Sequence, residues 1–166
     1  MKDYCFFGRI AMYDERKTMA DDILNLNSCL LNASNKEKGI FMMVLCTLAK
    51  TDNSLHPKEK SFLNSLADAL HIELTPRYFN TPKSICLKYI GQITNRRLAL
   101  ELIKYMLILT YTDDNFTDSE GAFIGETANA LQIEASKVGE ISSWIIDRII
   151  WLEQESVIFE EISTKE

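Results

Sequence analysis

The chain has 166 residues, 46% apolar and 25% charged, with a formal charge of −6. That length suits one domain with a buried core, and the apolar share lies far from the disordered range. An acidic chain with scattered Lys and Arg argues against nucleic acid as a partner, and six Gly with three Pro argue against an all-β fold.

The start, MKDYCFFGRIAMYDERK, has its apolar run broken by Gly8 and Arg9, so it does not read as a signal peptide. A helix is predicted over 18–33, with Ile23, Leu24, Leu30 and Leu31 on one stripe. Ser34 and Glu37 then stand three apart as a capping box, opening a helix through GIFMMVLCTLAK. That segment is apolar nearly all round and is expected at the centre of the fold. It is too short to span a bilayer.

After a turn at Asp52 to Leu55, a helix is predicted from Pro57 to His71, with Pro57 at its first position, where no N–H is needed. Thr75-Pro76 and Thr81-Pro82 each place a cap before a proline. They predict one short helical turn and then a helix from Pro82 to about Ile93. Asn95 opens a helix carrying LALELIKYMLILTYT into Asp113, and Thr117 with Glu120 forms another capping box before a helix ending near Gln132. A long C-terminal helix over 135–160 carries Val138, Ile141, Ile145, Ile146, Ile149 and Ile150 at steps of three and four. Trp144 and Trp151, seven apart on that helix, are expected in the bundle core. Strand-like alternation is absent at useful length, so the predicted class is all-α, a compact bundle of about seven helices.

An offset of 61 residues aligns Thr51–Thr75 with Thr112–Ser136 without a gap. It matches Thr51 with Thr112, Asp52 with Asp113, Glu59 with Glu120, Phe62 with Phe123 and Leu70 with Leu131. Each unit reads as a long apolar helix, a turn of four or five residues, and a capped amphipathic helix. One helix pair cannot cover its own apolar stripe, whereas two packed face to face can. Repeat halves of about 35–75 and 95–136 therefore share a single domain over 1–166.

Glu59 and Glu120 fall at the third position of their helices, where a carboxylate caps the N-terminus and suits its dipole by about 1 kcal/mol. Asp52 and Asp113 follow the C-terminal ends of apolar helices, where the dipole opposes a negative charge by about 0.3–1 kcal/mol. Two readings of that cost are open. The Asp side chains accept N–H groups from the turn, or a divalent cation such as Ca²⁺ sits among Asp52, Glu59, Asp113 and Glu120. An EF-hand loop does not fit, because its Gly and Glu positions counted from Asp113 hold Asp118 and Ile124.

A long apolar helix ending in Asp, followed by a short gap, an apolar residue, a cap and a Glu, resembles the signature of TerB-like domains. These are the helical modules of tellurite-resistance proteins and of the N-terminal region of DjlA-type co-chaperones. The likeness covers about residues 35 to 160. The family's Gly after the Asp is Asn53 in one copy and Asp114 in the other, and its preceding Ala is Thr51 and Thr112. The resemblance implies a bundle of about seven helices in two similar halves, with Asp52, Glu59, Asp113 and Glu120 as a metal-binding or interaction site. It also implies a role in stress or tellurite resistance.

No side-chain set for catalysis stands out. His56-Pro57-Lys58 lacks the Asp of a J-domain signature, and the chain has two His, no GxSxG and no HExxH. Cys5, Cys29, Cys46 and Cys86 are far apart, and Cys29 and Cys46 read as buried thiols. The expectation is a cytoplasmic, non-enzymatic binding module with a protein partner and no membrane insertion. The alternative is a co-chaperone-like scaffold without metal, in which the acidic residues serve only as turn and helix caps. Val157, Ile158 and Phe159, in an acidic C-terminal extension, are expected either to pack back or to meet a partner.

Overall fold

The computed structural model describes residues 28–51, 55–112 and 116–159, the side chain of Ser156 excepted. All regular structure among them is helical: α1 (Ser28–Leu31), α2 (Asn35–Leu48), α3 (Pro57–Leu70), α4 (Pro76–Phe79), α5 (Lys83–Ile90), α6 (Arg96–Thr110), α7 (Asp118–Ala130) and α8 (Ala135–Phe159). The segment 18–27 of the predicted N-terminal helix lies outside the described residues, and α1 covers part of the remainder.

Helix starts follow the caps read from the sequence. Ser34 Oγ accepts the Glu37 N–H at 3.2 Å, and Glu37 Oε2 accepts the Ser34 N–H at 2.9 Å, which opens α2. Asn95 Oδ1 accepts the N–H groups of Arg97 and Leu98 and opens α6. Each such bond satisfies a donor that the helix leaves unpaired, typically contributing about 1 kcal/mol. Two caps differ from expectation. Thr75 makes no side-chain cap bond, and Pro82 is itself the cap residue of α5, while the Thr81 hydroxyl donates backwards to the Arg77 carbonyl. The helix connections also run longer than four or five residues, over 49–56 and 111–117.

The helices α2 and α6 form the centre. The first buries Ile40, Phe41, Met42 and Val44 through Leu48, and the second buries most residues from Leu98 to Thr110. They pack on each other, with α3, α4 and α5 also against α2, and α1, α7 and α8 against α6. Tyr105 of α6 stands edge-on to Phe41 of α2, with centroids 5.5 Å apart, and 6.2 Å from Phe62 of α3. Burying side chains of this size stabilises by about 1.5–3 kcal/mol each, and rings at these spacings add about 0.5–1.5 kcal/mol.

The long C-terminal helix α8 lays Ile145, Ile149 and Leu152 into the core. Its tryptophans do not follow: Trp144 is 55% and Trp151 53% exposed, against the expectation that both sit in the core. A residue seven positions on returns to the same face, so one error of face moved both rings outward. No described helix is long and apolar enough to cross a membrane.

Candidate functional site

The two acidic corners are the ends of α2 and α6 and the starts of α3 and α7. As each central helix ends, its last carbonyls lose their intrahelical donors. Thr51 donates its hydroxyl to the Thr47 carbonyl at 3.1 Å, and Thr112 donates its own to the Leu109 carbonyl at 2.7 Å. These two threonines, 61 apart, therefore close the C-terminal ends of these helices. Asp52 and Asp113 follow immediately and lie outside the described residues.

Across each corner the next helix opens on a capping box. Glu59 Oε2 accepts the His56 N–H at 2.9 Å, and His56 Nδ1 accepts the Lys58 N–H at 3.3 Å. In the second corner, Glu120 Oε2 accepts the Thr117 N–H at 2.7 Å and the Thr117 hydroxyl at 2.9 Å. The Thr117 hydroxyl oxygen in turn accepts the Glu120 N–H at 3.3 Å. Both carboxylates are buried, Glu59 at 3% and Glu120 at 5% exposure. Glu37, in the capping box of α2, is more open, and its carboxyl is held below the usual range by the Ser34 hydroxyl and then the Ser34 N–H. A buried carboxylate costs more to desolvate than an exposed one, and N–H groups and the helix dipole offset that cost. Among the described residues, the bonds to Glu120 all fall on Oε2, which leaves Oε1 as its remaining acceptor.

The likeness of the two units continues to the far ends of α3 and α7. His71 and Gln132, 61 apart, both take the left-handed conformation, with φ of 57° and 56°. The following N–H groups, of Ile72 and Ile133, each donate to the carbonyl five residues back, Ala67 and Ala128, at 2.9 Å. This is the same C-terminal cap twice, built without the glycine that usually supplies it. Among the described residues, no group of three or more His, Cys, Asp or Glu is placed to hold a metal ion. Asp52 and Asp113 lie outside those residues.

Sequence reasoning missed a second polar feature. Glu101, Tyr105 and Thr127 are buried in the second unit, at 3%, 0% and 0% exposure. The positions 61 earlier hold Ile40, Val44 and Leu66, all buried and apolar. Glu101 pairs with Arg97 Nη2 at 3.0 Å and Lys104 Nζ at 2.5 Å, and Lys104 lies 4.8 Å from the Tyr105 ring centre. The Tyr105 hydroxyl and Thr127 Oγ1 have no hydrogen-bond partner among the described residues. Burial, and then the Glu101 charge, pushes the Tyr105 phenol above its ordinary value. The signal for this difference lies in the sequence, at the positions where the 61-residue offset sets Glu101, Tyr105 and Thr127 against apolar residues.

Cys46 and Cys86 are inert by position. Burial and then the neighbouring Cys86 push the Cys46 thiol up to about 12. Cys86 is raised by burial, against the opposing effect of the Thr47 hydroxyl 3.0 Å away. A thiol so shifted carries almost no thiolate near neutrality. Cys29 is only half-buried, short of the burial expected from its neighbours. A cleft of about 280 Å³ lies beside the first corner, lined in part by Thr47, Lys50, Thr51, Asn80, Thr81 and Lys83. Its charged groups are cationic, and Lys83 Nζ also lies 5.1 Å from the ring centre of Phe123. Comparison of the chain with protein-family models, with curated proteins and with solved structures found no match.

Proposed function

We propose that this chain is a non-catalytic, TerB-like binding module, built from a duplicated helix pair whose two acidic corners hold a divalent cation. The observation that carries the reading is the burial of Glu59 and Glu120 in the same capping box, each next to an Asp-bearing turn. A cap alone needs no burial, as Glu37 illustrates, whereas a hard cation favours clustered carboxylate oxygens shielded from water. Glu120 Oε1 is the oxygen such an ion would take, with Asp113 the natural second donor. The non-catalytic part rests on the buried titratable groups. Glu59 and Glu120 are committed to helix starts, Glu101 to two cations, and Cys46 and Cys86 to their protonated forms. The likeness to tellurite-resistance modules is the basis for placing the role in stress or tellurite resistance.

Calorimetric titration with Ca²⁺, Mg²⁺, Mn²⁺ and Zn²⁺ tests the cation. Heat is expected with at least one of them, and it should vanish in the Asp52→Asn, Asp113→Asn double variant. A native protein that gives no heat, or a double variant that titrates like the native chain, overturns the cation reading. The second reading, a protein-interaction module whose acidic residues only cap helices, is favoured by the uncovered aromatic face of α8.

A further inference from the structure

We propose that the partner met by α8 is a second copy of this chain, the two helices lying antiparallel about a two-fold axis near Trp151. The inference builds on the protein-interaction reading and does not depend on the acidic corners. Trp144, Trp151 and Ile158 recur every seven residues and are 55%, 53% and 72% exposed. A seven-residue spacing keeps these side chains on one line along the helix, with Arg148 and Glu155 interleaved between them. A different face of α8, through Ile145, Ile149 and Leu152, already belongs to the bundle, so this stripe is a second apolar face on the same helix. Its last turn is open on every side described, with Val157 at 67% and Phe159 at 76% exposure. Large rings standing in water on one continuous line mark an association surface rather than scattered surface residues.

Charge selects the partner and the direction. Arg148 sits in the stripe with its guanidinium 5.2 Å from the Trp151 ring centre, and Glu155 lies seven residues further along. Two copies running parallel would set Arg148 against Arg148 and Glu155 against Glu155. Run antiparallel, they set Arg148 of one copy beside Glu155 of the other at both ends of the contact. The same register lays Trp144 over Ile158 and Phe159 of the other copy and brings the two Trp151 rings together at the axis. The apolar stripe and the Arg148 and Glu155 charges are thus met by the same surface turned around, the condition for a closed two-fold dimer.

Light scattering on the native chain across micromolar concentrations should give twice the 19.0 kDa monomer mass. Trp151→Glu should give the monomer mass, with helical circular dichroism unchanged because that ring is half exposed. Arg148→Glu and Glu155→Arg should each weaken the dimer by about tenfold, and the double variant should restore it. A native monomer at all these concentrations overturns the proposal and hands the stripe to residues 1–27 or to another protein. A dimer indifferent to Trp151→Glu overturns it too, and a double variant no tighter than the singles overturns the antiparallel register. None of these results bears on the heats of cation titration, so the two readings fail separately.

Discussion

The helix pair α2–α3 and the helix pair α6–α7 share ends but not interiors. Both close their first helix with a threonine hydroxyl and open their second on a buried glutamate. Both then finish on a left-handed residue that is not glycine. Inside, Ile40, Val44 and Leu66 of the first pair face Glu101, Tyr105 and Thr127 of the second as equivalents. Their outer coverings differ as well: α4 and α5 lie on α2, and α1 and α8 lie on α6. The ends of a helix pair are set by local hydrogen bonds within a few residues, so the same short phrase gives the same geometry wherever it occurs. Interiors answer to whatever packs against them, and there the two pairs have different neighbours.

The largest effects should confirm the equivalence. Phe62 and Phe123, 61 apart, are 2% and 0% exposed, at equivalent places in α3 and α7. Phe62→Ala and Phe123→Ala are each expected to cost about 3–5 kcal/mol in denaturant unfolding. A small loss at one position beside a full loss at the other would break the comparison, since it would mean that one pair is not held by the shared phrase.

A second experiment sharpens the contrast, because Cys46 of the first pair stands where the second has Leu107. The folded thiol is pushed from the ordinary 9.0 up to about 12, so protonation favours the folded state. This contribution is complete below the ordinary value and declines as pH rises towards the folded one, because the unfolded chain ionises first. Between those limits the native chain should lose up to about 1.4 kcal/mol per pH unit relative to Cys46→Val. Parallel stability curves for the two proteins through that alkaline range would refute the assignment.

The smallest effects concern the polar interior of the second pair. Because the Tyr105 hydroxyl and Thr127 Oγ1 are buried without hydrogen-bond partners among the described residues, their removal breaks no bond seen there. Tyr105→Phe and Thr127→Val should each be neutral or stabilising, by up to about 1 kcal/mol. A loss of more than 1 kcal/mol in either melting experiment would mean that the group is satisfied after all, by a bound water or ligand.

The sequence by itself determined the helices, their order and most of their starts. Capping boxes at Ser34, His56 and Thr117 and the Asn95 cap are local signals, read by N–H groups two or three residues away. The central place of α2 was also legible, since a helix apolar on all sides has nowhere else to go. Local pattern did not place Trp144 and Trp151. In α8 apolar residues occupy two faces, and only the position of α6 and α7 decided that Ile145, Ile149 and Leu152 turn inward. The burial of Glu59, Glu101 and Glu120 was likewise a tertiary decision. A carboxylate at the third position of a helix is a cap in any context, and whether water still reaches it depends on which helix lies across it.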